Sequence, residues 1–188
     1  MSFYFRVESY ISLDILRNIK LLVIDLDGVI SDGRLIISQD LKESKTISYR
    51  DGLGIKLINS IGIKVSVITS GCSHYLLDRL NYLGVKDFFD SQANKIPAFN
   101  KLQKKYCLTD KQVAYMGDDL PDLPFLERVG FSAAPSDAIE VVKHDASYIC
   151  RNRGGFGAIR EVCDLLLRSR KCYKNIVQNY KKYGAIKK

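Results

Sequence analysis

Residues 21–28 read LLVIDLDG, four aliphatic side chains followed by two aspartates flanking a leucine, then a glycine. An uninterrupted apolar run of this length suits a strand buried on both faces, as in a parallel sheet. The pattern recurs. VSVIT at 65–69 meets Ser70-Gly71, and VAYM at 113–116 meets Gly117-Asp118-Asp119. FSAA at 131–134 and ASYI at 146–149 are shorter candidates of the same type. Helical stretches are expected between them, over roughly 52–61, 73–83, 94–106, 121–129, 136–143 and 156–168. In the last of these, Ile159, Val162, Cys163, Leu166 and Leu167 share one helical face. Strands alternating with helices imply crossover connections, hence an α/β fold with a doubly wound parallel sheet. Residues 34–49, RLIISQDLKESKTISY, differ: two alternating runs flank the polar turn Gln39-Asp40-Leu41-Lys42, which predicts a β-hairpin inserted after the first strand.

The whole chain fits one such body. It has 188 residues, 46% hydrophobic and 27% charged, too apolar for intrinsic disorder and long enough to bury its own core. No apolar run approaches the roughly 18 residues of a membrane span. The N-terminal MSFYFRVESYISLD lacks the layout of a signal peptide, because Arg6 and Glu8 interrupt it. Five cysteines, at 72, 107, 150, 163 and 172, are odd in number and form no C-x-x-C pair. That argues against disulfides or a zinc site and for inert thiols in a soluble cytoplasmic protein.

In open α/β sheets, ligands bind at the carboxyl ends of the strands. Three predicted strands end there in chemically useful residues: Asp25 and Asp27, Thr69, and Asp118 and Asp119 with Asp122 close behind. A single aspartate at such a place commonly caps the next helix or turn. Several carboxylates at neighbouring tips, with a hydroxyl beside them, point instead to a metal and phosphate site. A hard cation such as Mg²⁺ relieves the repulsion among clustered carboxylates and neutralises phosphate oxygens. One aspartate can then attack phosphorus while another moves a proton. His74, in the first turn of a predicted helix, and Cys72, with no basic neighbour in sequence, are expected to stay outside this chemistry.

These residues carry a resemblance. DLDGV (25–29), Thr69, Lys95 and GDDLPD (117–122) resemble, in order, the four signatures of the haloacid-dehalogenase-like phosphatases. DGVISDG (27–33), YRDGLGIK (49–56), SQANK (91–95), GDDLPDLP (117–124) and GGFGAIREVCDLLL (154–167) are similar to one branch, the 3-deoxy-D-manno-octulosonate 8-phosphate phosphatases. The resemblance spans about residues 19–167. It implies a small hairpin and no large cap domain, and a homotetramer whose hairpins form a shared barrel, neighbouring chains helping to enclose each site.

It further implies Asp25 as nucleophile and Mg²⁺ ligand, and Asp27 as general acid/base that also offers the metal its carbonyl. Asp118 would be a direct ligand, with Asp119 and Asp122 orienting the metal's waters. Thr69 and Lys95 would grip the phosphoryl group. The sugar acid would meet Asp27, Ser48, Tyr49, Arg50, Asp51, Gly52, Lys56, Arg79 and Lys95. The reaction implied is hydrolysis of the eight-carbon sugar-acid phosphate through an aspartyl-phosphate, in lipopolysaccharide precursor synthesis. Two positions depart from the branch: Ser70-Gly71 follows Thr69 where Gly-Arg is usual, and Phe156 stands where GGRGA has arginine. These departures motivate two alternatives, a phosphatase for a nine-carbon (nonulosonate) 9-phosphate and a non-catalytic module of the kind associated with sugar nucleotidyltransferases.

The net charge of +8 suggests nucleic acid only until it is divided. Residues 169–188 hold seven basic residues and no acid, leaving 22 basic against 21 acidic groups in residues 1–168. The excess belongs to a C-terminal helix or tail, expected to be solvated and outside the phosphatase domain of residues 1–168. Nucleic acid and membrane are therefore not expected as partners.

Overall fold

The computed structural model describes residues 12–185; the N-terminal stretch weighed above as a signal peptide lies, through residue 11, outside the described residues. In chain order the elements are α1 (Leu13–Asn18), β1 (Leu21–Ile24), β2 (Ile36–Ile37), β3 (Glu43–Ser44), α2 (Tyr49–Ser60), β4 (Lys64–Ile68), α3 (Leu77–Leu83), β5 (Asp87–Phe89), α4 (Ile96–Tyr106), β6 (Val113–Met116), α5 (Leu123–Leu126), β7 (Phe131–Ala134), α6 (Glu140–Asp145), β8 (Tyr148–Ile149), α7 (Ala158–Ser169) and α8 (Tyr173–Tyr183).

Six strands form one parallel sheet in the order β5-β4-β1-β6-β7-β8. The chain starts at the centre, winds out through β4 and β5, then crosses back to β6 and winds out the other way. Its direction reverses around β1, which is where such sheets bind ligands. Every residue of β1 is buried, and successive side chains enter opposite layers. Leu22 and Ile24 join a core with residues of α2, α3 and α7, whereas Leu21 and Val23 join one with Phe99, Leu102 and Phe125 from α4 and α5. This two-sided burial is why the strand reads as unbroken apolar sequence.

β5 is the strand that sequence patterning misses. Its three residues, DFF, are half-buried at the sheet edge, too short and too exposed for either periodicity to register. The predicted hairpin is present but smaller: β2 and β3 pair antiparallel over two residues each, closed by Ser38 N–H to the Lys42 carbonyl at 3.0 Å. Residues 33–44 are all exposed. Among the described residues no separate cap domain accompanies it.

The C-terminal segment differs from the solvated appendage expected. α8 packs on the end of α7, Ile176 is only 8% exposed and belongs to the core, and Cys172, Tyr173 and Tyr180 pack beside it. These four residues recur at helical spacing, a face hidden in the sequence by the lysines around it. No helix among the described residues is long and apolar enough to cross a membrane.

Candidate active site

The register of the central strands sets the site. Ile24 lies abreast of Val67 on β4 and Met116 on β6. The residues that follow these partners, Asp25, Thr69 and Asp118, therefore emerge at one end of the sheet. The Asp25 N–H still bonds the Met116 carbonyl at 2.9 Å, which fixes the root of its side chain before the chain turns away. In that turn Asp27 is extended and Gly28 has φ +81. A Cβ on Gly28 would lie 2.0 Å from an oxygen of Asp118, so only glycine lets this turn pass beneath that carboxylate.

Asp25, Asp118 and Asp122 bring one carboxylate oxygen each within 4.8 Å of one another. Lys95, at the start of α4, inserts its ammonium 2.6 Å from Asp25 Oδ1 and 2.7 Å from Asp122 Oδ1. Asp122 accepts further bonds from the Tyr115 hydroxyl at 2.7 Å and from the Asp118 and Asp119 N–H groups at 3.0 and 3.3 Å. Asp119 itself faces outward and caps the turn at Leu120. Asp122 is thus the fully bonded organiser of the cluster, with Asp25 and Asp118 the less satisfied members.

The electrostatics agree. Burial, reinforced by the Asp122 charge and opposed by Lys95, raises the Asp25 carboxyl to about 7. Burial together with Asp25 and Asp122 raises Asp118 to about 8. Burial alone would lower Lys95, but the two aspartates outweigh it and hold the ammonium charged. Asp118 Oδ1 is buried with no hydrogen-bond partner. Three carboxylates against one ammonium, with one buried carboxylate oxygen left without a partner, fit a hard divalent cation.

Asp27 does not join the acid cluster. Its carboxylate takes a hydrogen bond from Ser31 Oγ at 3.3 Å and both oxygens bind Lys45 Nζ, at 2.7 and 2.8 Å. Thr69 is buried at the tip of β4 and receives the Gly71 N–H at 3.2 Å. The central residues named from sequence, Asp25, Asp27, Thr69, Lys95, Asp118, Asp119 and Asp122, thus surround one end of the sheet.

The expected sugar contacts are dispersed. Ser48 caps α2, accepting the Asp51 N–H at 3.3 Å. Asp51 is buried and turns to α7, accepting Gly157 N–H at 3.0 Å and Arg160 N–H at 2.7 Å. Gly52 faces Leu83 of α3, where a Cβ would sit 2.8 Å from its methyl group. Lys56 lies over the Tyr82 ring, and Arg79 stacks between Tyr82 and the exposed Tyr49. These side chains contact one another and not the acid cluster. Arg50 and Phe156 line a separate groove of about 1150 Å³ beside α7 and α8. His74 is exposed, 3.5 Å from Asp90, and takes no part in the acid cluster. Cys150 and Cys163 are buried, which pushes both thiols far up.

Lys45 and Tyr115 escaped the sequence reading. Lys45 is one lysine in an alternating hairpin, and Tyr115 is one apolar-looking residue in a buried strand. Neither carries a local signal, because each acquires its partner from a distant segment.

Residues 81–159 match the family model of the haloacid dehalogenase-like hydrolases. The chain is 42% identical over 151 residues, 80% of each chain, to the 3-deoxy-D-manno-octulosonate 8-phosphate phosphatase of Escherichia coli strain K12. Its fold is similar to the crystal structure of the phosphatase of that name from Yersinia pestis, with TM-score 0.84, 38% identity, and coverage of 86% of this chain and 88% of that one. It is likewise similar to the Moraxella catarrhalis phosphatase in complex with magnesium, phosphate and KDO, with TM-score 0.87, 32% identity, and coverage of 89% and 97%.

Proposed function

This chain belongs to the 3-deoxy-D-manno-octulosonate 8-phosphate phosphatases, a branch of the haloacid dehalogenase-like hydrolases, and from that membership we infer its reaction and the part each residue plays. It is a Mg²⁺-dependent phosphomonoesterase that releases inorganic phosphate from 3-deoxy-D-manno-octulosonate 8-phosphate, a step toward lipopolysaccharide. The observation that carries the reading is the cluster of Asp25, Asp118 and Asp122, its first and last members buried around Lys95, in a chain of this family.

The residues divide the work by position. Asp25, Asp118 and the Asp27 carbonyl would hold Mg²⁺, with Asp119 and Asp122 acting on its waters; the ion supplies charge neutralisation at the phosphoryl oxygens. Asp25 attacks phosphorus, the bond to the sugar oxygen breaks, and Asp27 gives that oxygen a proton. Water then attacks the aspartyl-phosphate, its proton passes to Asp27, and the bond to Asp25 breaks to free phosphate. Lys95 and the Thr69 hydroxyl hold the phosphoryl oxygens as charge accumulates on them.

The sugar-acid contacts assigned to Ser48, Tyr49, Arg50, Asp51, Gly52, Lys56 and Arg79 are best served in a homotetramer. Half-buried Lys56 and Arg79 with exposed Tyr49 form a basic and aromatic patch suited to a neighbour's substrate. The hairpin supplies the adhesive surface, with Leu35, Ile36, Ile37 and Leu41 between 46% and 80% exposed. Five free cysteines suit the reducing cytoplasm. The phosphatase unit is residues 1–168, with the flap at 34–49 and the basic segment 169–188, which carries α8, as its C-terminal addition.

Steady-state assays of the purified protein on the eight-carbon 8-phosphate and a nine-carbon 9-phosphate test the substrate. Preference for the former is expected, and activity on neither overturns the assignment. Asp25→Asn should abolish phosphate release while leaving the thermal melt cooperative; near-normal turnover would remove Asp25 as nucleophile.

A further inference from the structure

Lys45 is the anomaly of the flap. The residues before it, 33–44, are exposed, yet its side chain is only 7% exposed. Burying an ammonium is costly unless each of its donors is used. Here the ammonium donates to Asp27 Oδ2 and to Ser73 Oγ, both at 2.8 Å, and lies in ion-pair contact with Asp27 Oδ1 at 2.7 Å. The flap is therefore anchored by one charged group to the side chain proposed above as the proton carrier.

The bonds leave the two oxygens of Asp27 unequal. Oδ1 accepts Ser31 Oγ with the Lys45 ammonium in ion-pair contact beside it, whereas Oδ2 accepts from Lys45 alone. A carboxylate oxygen has room for two donors, so Oδ2 keeps one acceptor position open. It lies toward Gly71: a Cβ there would sit 3.2 Å from Oδ2 and 3.9 Å from both Lys45 Nζ and Thr69 Oγ1. With no side chain at 71, the space between Oδ2 and Thr69 Oγ1 is not filled by residue 71 itself.

We propose that Lys45 is a positioning residue for the second half of the reaction, aiming the free acceptor of Asp27 Oδ2 past Gly71 at the water that hydrolyses the aspartyl-phosphate. The proposal rests on the phosphatase reading above. In this step the water oxygen bonds to phosphorus, its proton goes to Oδ2, and the bond from phosphorus to the Asp25 oxygen breaks. Lys45 itself transfers nothing.

The test is rapid-mixing kinetics with p-nitrophenyl phosphate and Mg²⁺, whose good leaving group needs little help in the first step. Lys45→Met should give a burst of about one p-nitrophenolate per site, followed by a steady state slowed about tenfold or more, the scale of a misplaced general base. Lys45→Arg, which keeps a charged donor, should recover part of that rate. Should Lys45→Met fail to fold, Ser73→Ala, which removes only the outer anchor of the ammonium, should show the same burst with a smaller slowing. Equal loss of the burst and steady-state rates, or an unchanged steady state, overturns the role of Lys45. Wild-type protein with no Mg²⁺-dependent turnover overturns the phosphatase reading instead.

Discussion

The Asp122 carboxylate holds the Lys95 ammonium at 2.7 Å with both side chains almost wholly removed from solvent. Neither is tolerable there alone. Lys95 would be an unpaired buried cation, and Asp122 would be a third carboxylate pressed against Asp25 and Asp118. Lys95→Met should therefore cost about 3–5 kcal/mol in stability, the range for removing one partner of a buried pair. It should also slow phosphate release at least about a hundredfold through loss of a charge at the phosphoryl group. Urea unfolding and steady-state kinetics on one preparation check both; a loss in only one of them would separate the structural from the chemical part.

Mg²⁺ should stabilise the protein, and more so at higher pH. Asp25 and Asp118 have folded-state pKa values raised to about 7 and about 8, from an ordinary 3.8. A carboxyl whose pKa is raised on folding loses stabilisation as pH climbs from its unfolded value through its folded one. Chelated protein should accordingly weaken as pH rises through 7 to 8. A divalent cation binds the ionised carboxylates, displaces their protons and reverses the trend. Thermal melts at pH 6 and pH 8, with chelator or with saturating Mg²⁺, measure this. Saturation a hundredfold above Kd is worth about 2.7 kcal/mol. A shift that shrinks between pH 6 and pH 8 would contradict the carboxylate site.

Asp51 should prove a fold residue before a substrate residue. Its buried carboxylate receives two backbone N–H groups at the start of α7, and burial raises its pKa against those bonds. Asp51→Ala strands two donors and should cost about 1–3 kcal/mol for each. Asp51→Asn keeps one acceptor and should cost less. Denaturant titrations of both variants, with the KM for the sugar phosphate, show whether stability moves before affinity does.

The C-terminal helix should contribute through Ile176, not through its charge. Ile176→Ala removes a buried side chain and should destabilise the fold by about 2–4 kcal/mol. Lys181→Gln with Lys182→Gln, two exposed substitutions, should stay within about 0.5 kcal/mol. Deleting 169–188 should lower the melting temperature as Ile176→Ala does. A salt-dependent rise in KM from the lysine pair alone would instead give the charge a role in substrate capture.

The fold and the acidic strand tips were legible in the chain because their signals are local. LLVIDLDG states a buried strand and its acidic tip within eight residues, and GDDLPD does the same for β6. Strand–helix alternation then leaves few topologies, and the handed crossover rule brings those tips together. Signals weaken where an element is short or amphipathic. β5 is three residues at an edge, and the core face of α8 is buried in a run of lysines.

What the sequence determined by itself is the inventory: an α/β sheet wound both ways, five aspartates, a threonine and a lysine at its rim, and a small hairpin after β1. What only the tertiary structure decided is allegiance. Asp51 faces α7, Asp122 holds Lys95 and Tyr115, and Asp27 is bound to Lys45 across 18 residues of chain. A carboxylate or ammonium written in sequence carries its charge but not its partner. Partners are set by which segments the sheet brings within about 3 Å, and burial then makes each pairing obligatory.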